Sequence, residues 1–157
     1  MPKLSNDPSG IRKKIYYYCA YQERCHQEVR NKLFTFGLSY QEVDELITHL
    51  ITEGYLNEER FAKLFAGGKF RQQKWGRVKI VQALEGKGLT KNCIRLGLKE
   101  IDEDDYLKTI SALAEKKANQ VSQENLFVAR DQIARYVIQK GFEADLVWPI
   151  VKDMIKG

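Results

Sequence analysis

Proline is almost absent from this chain. Of its 157 residues only three are proline, at positions 2, 8 and 149, so the stretch from residue 9 to 148 contains none. A protein built from many strands uses proline in its tight turns and rarely manages without it. The composition therefore favours helices. No segment alternates between apolar and polar residues for long enough to predict a strand.

Long apolar runs are also missing. No segment approaches the roughly 18 apolar residues of a membrane helix, and the first ten residues lack the apolar core of a signal peptide. The three cysteines, Cys19, Cys25 and Cys93, have no Cys-x-x-Cys spacing. This predicts free thiols in a reducing compartment, because disulfides persist in oxidising ones. We therefore expect a cytoplasmic protein with no membrane partner.

No combination of residues indicates catalysis or a bound cofactor. The glycine–lysine segments 67–69 and 85–88 lack the Gly-x4-Gly-Lys-Ser/Thr spacing of a phosphate-binding loop. Cys25 and the two histidines do not have the spacing of a zinc site. The aspartates between 102 and 105 suit the first turn of a helix, which attracts acidic residues. We expect a protein that is not an enzyme and holds neither cofactor nor metal.

Negative charge is nearly missing from the middle of the chain. Between Arg60 and Lys99 there are eleven basic residues and one acidic residue, Glu85, so this basic block has a net charge of +10. The whole chain carries +5, and the remainder therefore carries −5. Such an asymmetry is typical of a protein that binds a polyanion or an acidic partner.

Three segments resemble one another when they are aligned on a glycine. Gly37, Gly88 and Gly141 are separated by 51 and 53 residues, and six positions around each glycine are apolar. These positions are Val29, Leu33, Leu38, Val43, Ile47 and Leu50, then Ile80, Leu84, Leu89, Ile94, Leu98 and Ile101, then Ile133, Val137, Phe142, Val147, Val151 and Met154. Their spacing matches two helices joined by a tight turn, and each glycine fits the left-handed residue that ends the first helix.

A further helix precedes each pair. The first runs over about residues 11–21, the second follows an N-cap at Asn57, and the third starts near Asp102. Ser39 and Thr90 fit the N-caps of two later helices. We predict an all-α fold of three tandem three-helix repeats, each helix-turn-helix-like, in an elongated array. The predicted bounds are a flexible tail at 1–10 and repeats at 11–56, 57–102 (the basic one) and 103–157.

Helical spacing also predicts which side chains point inward. In the first helix of the first repeat the inward candidates are Ile15, Tyr18 and Ala20. In the first helix of the second repeat they are Phe61, Leu64, Phe65 and Phe70, and in that of the third repeat they are Tyr106, Ile110 and Leu113. The four tyrosines between residues 16 and 21 cannot all face inward from one helix. One or two of them should therefore be exposed.

Three motifs within these repeats resemble those of the RecX family of recombination regulators. Residues 54–62 read GYLNEERFA, residues 76–89 read GRVKIVQALEGKGL, and residues 136–142 read YVIQKGF. The spacing between the motifs matches as well, and the resemblance covers about residues 14 to 155. It implies an all-helical protein of tandem three-helix repeats.

The resemblance also implies a partner and a role. RecX regulators bind the RecA recombinase filament on single-stranded DNA, within or along the filament groove. They usually lower its ATPase, co-protease and strand-exchange activities. The resemblance thus implies a non-enzymatic modulator of RecA in DNA repair, homologous recombination and the SOS response. We expect it to be a monomer.

The basic block supplies the candidate residues for contact with DNA or with an acidic surface of RecA. They are Lys69, Arg71, Lys74, Trp75, Arg77, Lys79, Lys87, Lys91 and Arg95. Trp75 would either stack on a base or anchor its loop as a partly buried side chain. Charge reversal at Lys74, Arg77 and Lys79 together should weaken binding by at least about tenfold. The same reversal at Lys108, Lys116 and Lys117, which lie outside the block, should do less.

Two other functions stay open. Each repeat resembles a helix-turn-helix, so the chain could be a DNA-binding protein of that type. A sequence-reading helix needs Arg, Asn or Gln at base-facing positions near its start, whereas two of the three second helices have an acidic residue within their first three positions. The mixed charge of the outer repeats also allows a helical scaffold for another protein.

Overall fold

The computed structural model describes residues 10–156, in which every regular element is an α-helix. The nine helices of this range are α1 (Ile11–Tyr21), α2 (His26–Thr35), α3 (Tyr40–Thr52), α4 (Glu58–Gln73), α5 (Arg77–Gly86), α6 (Lys91–Leu98), α7 (Glu103–Ala118), α8 (Leu126–Gln139) and α9 (Ala144–Met154). The predicted all-α class is confirmed. None of these helices has the length and apolar character needed to cross a bilayer. Apart from Gly10, the predicted tail at 1–10 lies outside the described residues.

The helices form two compact units. The first unit comprises the chain up to Leu64 together with Leu84–Gly97, and the second comprises Phe65–Ala83 together with the chain from Leu98 onward. The chain therefore passes from one unit to the other within α4, within α5 and again at the end of α6. The bounds of the three repeats and the elongated array stay predictions.

Helix starts are fixed by side chains that the sequence predicts as caps. The Ser39 hydroxyl accepts a hydrogen bond from the Glu42 N–H at 3.2 Å, and the Glu42 carboxylate accepts one from the Ser39 N–H at 3.0 Å. Asn57 and Thr90 accept from backbone N–H groups in the first turns of α4 and α6, at 2.9 and 3.2 Å. Asp102 does so for α7 at 3.0 Å. These bonds satisfy donors that have no partner within the helix.

The three aligned glycines end their helices as predicted. Gly37, Gly88 and Gly141 have φ values of 81°, 80° and 98°, in the left-handed region that glycine reaches without strain. Of the eighteen aligned apolar positions, fifteen are buried, and the other three, Leu38, Leu98 and Met154, are half-buried. The glycine turns and the apolar pattern are thus confirmed.

Each unit has its own apolar core. In the first unit α1, α2 and α3 enclose a buried cluster of Ile15, Cys19, Val29, Leu33, Val43, Leu46, Ile47, Leu50 and Leu56. In the second unit the ring of Tyr106 lies between two phenylalanines, with centroid distances of 5.6 Å to Phe70 and 5.0 Å to Phe142. Ile110 and Leu113 are buried as well, as predicted.

The sequence-based burial predictions have different outcomes. The predictions for Leu64 and Ala20 are wrong, because both side chains are exposed. Helix α4 buries the face that carries Phe61, Ala62 and Ala66, and Leu64 projects from the other side. The prediction for the tyrosines of α1 is confirmed, since two of the four are exposed.

The three cysteines are free thiols, as predicted, and differ in their accessibility. Cys19 and Cys25 are buried, whereas Cys93 is partly exposed. Burial raises the pKa of Cys19 to about 11 and also raises that of Cys25.

Because the thiolate is the reactive form, we expect one cysteine of the native chain to react fast with a thiol reagent at pH 8, and all three to react in urea. A Cys93→Ser variant should lose the fast phase, and two fast equivalents in the native protein would contradict this.

Candidate nucleic-acid interface

The structure divides the nine candidate residues between the two units. Lys69, Arg71, Lys74, Trp75, Arg77 and Lys79 belong to the second unit, and Lys87, Lys91 and Arg95 belong to the first. The six residues of the second unit lie at the end of α4, at the start of α5 and in the short connection between these helices. Five of the eleven basic residues of the basic block thus lie within the short stretch of residues 69–79.

Helix α4 is followed directly by a lysine in the left-handed backbone conformation. Lys74 has a φ of 58°, the one positive value at a non-glycine residue within residues 10–156. Its N–H donates to the Phe70 carbonyl at 3.1 Å, and its ammonium donates to the Arg71 carbonyl at 3.0 Å. A side chain in this left-handed region costs about 1 kcal/mol or more relative to glycine. Strain of this kind clusters at functional sites, and here it holds a cation at the helix end.

A groove lies between the end of α4 and helix α7, within the second unit. Its volume is about 590 Å³. Four cations line it, Arg71 and Lys74 from the α4 end and Lys108 and Lys116 from α7, together with one carboxylate, Asp105. Buried Phe70 and Leu113 also contribute to its walls. We call this feature the α4–α7 groove.

The cations of the α4–α7 groove are not neutralised within the part of the chain that the structure describes. None of its four basic side chains has a carboxylate oxygen within 4.0 Å among residues 10–156. All four are exposed. Uncompensated cations from two helices around one concave surface are suited to bind phosphate groups, whose affinity comes from such charge contacts.

Sequence reasoning missed Lys108 and Lys116 as functional candidates. Both lie outside the basic block, and the groove forms only when α7 packs beside α4. Their spacing of eight residues placed them on one face of α7, which was the available signal. Since they share the groove with Arg71 and Lys74, these two lysines do not form a control set for the basic block.

Trp75 is half-buried and is enclosed by other side chains of the second unit. The Lys69 and Lys79 ammonium groups lie 4.9 and 4.6 Å from the centre of its ring. The ring of Phe65 approaches it edge-on, with a centroid distance of 6.3 Å. This geometry favours the interpretation of Trp75 as an anchor of the α4–α5 connection, which holds two cations at the surface by cation–π contact.

Arg77 is engaged in a network inside the second unit. Its guanidinium pairs with Glu143 at 3.1 Å, pairs also with Glu103, and lies 3.9 Å above the centre of the Tyr106 ring. The Tyr106 hydroxyl accepts the backbone N–H of Arg77 at 2.9 Å and donates to Glu143. Burial is the main cause that raises the pKa of Tyr106, so this hydroxyl stays a donor at neutral pH.

This network gives Arg77 a positioning role at the start of α5. Two carboxylates already balance its charge, so less of that charge is available to a phosphate than at an unpaired lysine. Charge reversal at Arg77 would leave Glu103 and Glu143 facing a third carboxylate. Such a variant would test folding as much as binding.

The three candidates in the first unit have different surroundings. The Lys87 ammonium pairs with Glu28 at 3.2 Å and lies 6.0 Å from the ring of Phe61. Lys91 and Arg95 are exposed on α6, where Arg95 donates to the Asn92 side chain at 2.7 Å. Lys87 is thus held by an acidic neighbour, whereas Lys91 and Arg95 lie open to a partner.

Comparison with known proteins relates the chain to one family. Residues 57–98 match the family model described as "RecX, second three-helix domain". A protein named regulatory protein RecX from Clostridium perfringens is 29% identical over 131 residues, which cover 82% of this chain and 61% of that protein. The corresponding protein of Clostridium botulinum is 26% identical, covering 84% of this chain and 62% of that protein. The chain thus spans about three fifths of the length of these relatives.

Solved structures show the same fold. The crystal structure of RecX from Lactobacillus salivarius superposes with a TM-score of 0.86 and covers 96% of this chain and 97% of that one, at 24% identity. A second crystal structure, of a regulatory protein RecX, superposes with a TM-score of 0.76 and covers 92% of this chain and 72% of that one, at 19% identity. With the matches in sequence, these findings confirm the resemblance to the RecX family that the motifs predicted.

Proposed function

We propose that this protein is a non-enzymatic regulator that binds RecA filaments on single-stranded DNA and lowers their ATPase, co-protease and strand-exchange activities. The resemblance to RecX regulators supplies the partner. The observation that carries the proposal is the α4–α7 groove, where four cations from two helices lack acidic partners among residues 10–156. A surface of this kind suits the phosphate backbone of the strand within a filament.

The α4–α5 connection extends this basic surface beyond the groove. Lys69 and Lys79 are held on the Trp75 ring, and Lys74 is held at the helix end by its left-handed backbone. Cations with restricted side chains lose less conformational freedom when they bind phosphate. The three free thiols favour a reducing cytoplasm as the place of action. The proposed function requires only one copy of the chain.

The activity of RecA tests this proposal directly. RecA ATPase would be measured on single-stranded DNA with increasing amounts of the chain, from well below to equal to the amount of RecA. We expect the rate to fall as the chain is added, and to fall less with a variant in which the four groove cations are neutral. An unchanged ATPase rate at every ratio would contradict the proposed function.

A further inference from the structure

The first unit carries a second basic and aromatic surface, which lies outside the basic block. Residues 11–36 contain six basic residues and two acidic ones, although they lie in the part of the chain outside the basic block. Both acidic side chains are paired with cations from later in the chain, Glu23 with Arg60 and Glu28 with Lys87. Of the six basic residues, Arg12 and Arg30 are likewise paired, with Glu53 and Asp44, so the excess positive charge of this surface comes from the other four.

Cations and aromatic rings alternate between α1 and α2. The guanidinium of Arg24 lies 3.7 Å above the ring centre of Tyr18, and the Lys32 ammonium lies 5.4 Å from the same ring. Lys32 is also 5.7 Å from the ring of Phe36, and the Lys14 ammonium lies 5.8 Å from that ring. None of these three cations has a carboxylate oxygen within 4.0 Å among residues 10–156.

Two exposed tyrosines continue this surface along α1. Tyr17 and Tyr21 are 68% and 71% exposed, and their ring centroids lie 6.1 Å apart. At 100° per residue, Lys14, Tyr17, Tyr18 and Tyr21 share one side of α1, away from buried Ile15. We call the set of Lys14, Tyr17, Tyr18, Tyr21, Arg24, Lys32 and Phe36 the tyrosine face.

We propose that the tyrosine face is a second binding site for single-stranded DNA, in which Tyr17 and Tyr21 stack on bases and Lys14, Arg24 and Lys32 contact phosphates. The choice of DNA as ligand rests on the proposed function. Sites for single strands combine a basic surface with exposed rings, because every base offers a π-face to an aromatic side chain. The rings of Tyr18 and Phe36 hold the cations in place, and Tyr18 shares one side of α1 with the two exposed tyrosines.

Binding of a fluorescein-labelled oligothymidine to the full chain, without RecA, tests this site. In a chain whose four α4–α7 groove cations are neutral, so that the groove cannot mask the loss, the double variant Tyr17→Ala/Tyr21→Ala should bind at least about tenfold more weakly, because two stacked bases lose their platforms. Both side chains are exposed, so the variant should keep its helical spectrum and unfolding midpoint. Tyr17→Phe/Tyr21→Phe keeps the rings and should bind like the parent chain.

The phosphate contacts have a separate signature. Lys14→Gln/Lys32→Gln should reduce the dependence of log affinity on log salt by about 1.4, at about 0.7 per lost contact on single strands. Tyr40→Ala is the control for the loss of an exposed tyrosine outside the tyrosine face, since Tyr40 is 76% exposed on α3 of the same unit. We expect Tyr40→Ala to leave DNA binding unchanged.

Several outcomes would contradict the DNA-binding site on the tyrosine face but not the proposed function. One is a parent chain that inhibits RecA but does not bind the oligonucleotide. Another is equal affinity of the parent and the Tyr17→Ala/Tyr21→Ala chains. Normal DNA binding combined with lost inhibition in that variant would assign the tyrosine face to a protein partner instead. Conversely, the Tyr17→Ala/Tyr21→Ala variant could lose DNA binding tenfold while the parent chain has no effect on RecA activity. That result would support the site and contradict the proposed function.

Discussion

We expect a chain with a neutral α4–α7 groove to bind single-stranded DNA and RecA filaments at least about a hundredfold more weakly at about 50 mM salt. The variant combines Arg71→Gln, Lys74→Gly, Lys108→Gln and Lys116→Gln. Each phosphate contact on a single strand contributes about 0.7 to the slope of log affinity against log salt, so four contacts contribute about 2.8. The variant should therefore also have a much flatter salt dependence, measured by fluorescence anisotropy.

These substitutions are chosen to leave the fold intact. All four side chains are exposed, and none takes part in an ion pair among residues 10–156. Glycine at position 74 suits a φ of 58° better than lysine does. Lys74→Gly should thus relieve backbone strain at the end of α4 while it removes the cation. A loss of binding at unchanged or higher stability would separate the charge effect from unfolding.

A matched pair separates the groove from overall charge. Lys108→Gln/Lys116→Gln and Lys99→Gln/Lys152→Gln remove the same charge from exposed positions of the same unit. Lys99 belongs to the basic block but does not line the groove, whereas Lys108 and Lys116 line it from outside the block. We expect the first pair to weaken binding clearly more than the second. Equal effects would mean that the groove is not a special site.

The parts of the fold that the sequence predicted are those determined by local physics. Helix starts follow from capping side chains such as Ser39 and Asn57, and helix ends from glycines with positive φ. The apolar spacing identified the inward faces because helical periodicity fixes which residues share a side. Leu64 and Ala20 were exceptions, since an apolar residue at a helix surface is common and carries no signal of its own.

The candidate site was less predictable because its chemistry depends on which helices pack together. Charge counting along the chain identified Arg71 and Lys74 as candidates. It treated Lys108 as a control outside the basic block, because α7 lies some thirty residues later in the sequence. It also counted Arg77 as a free cation, whereas Glu103 and Glu143 approach it from two other elements. The net charge of a segment does not show which charged residues from other segments lie beside each side chain in the folded protein.

Tertiary structure likewise explains why glycine occurs at position 76, within one of the family-like motifs. Gly76 precedes α5, and its N–H donates to the Lys140 carbonyl at 2.8 Å, while the Val78 N–H donates to the Gly141 carbonyl at 2.9 Å. A Cβ atom at position 76 would lie 2.2 Å from the carbonyl carbon of Gly141 and 2.3 Å from the N of Phe142. These are backbone atoms, which cannot move aside as the end of a side chain can.

Gly76→Ala should therefore destabilise the protein by about 3 kcal/mol, at the upper end of overpacking effects. To accept the methyl group, the second unit must separate the start of α5 from residues 140–142 and stretch two backbone hydrogen bonds. The Arg77–Tyr106–Glu143 network starts at the next residue and would be displaced with it. Urea unfolding followed by circular dichroism measures the change.

Gly68→Ala provides the matched control in the same unit. Gly68 lies inside α4, and a Cβ atom there would meet nothing within 4 Å. Alanine inside a helix is favoured over glycine by about 0.5–1 kcal/mol, so this variant should be slightly more stable than the parent chain. The two substitutions add the same methyl group and should change stability in opposite directions. A loss below about 1 kcal/mol for Gly76→Ala would show that the contact between Gly76 and Gly141 is looser than the backbone distances require.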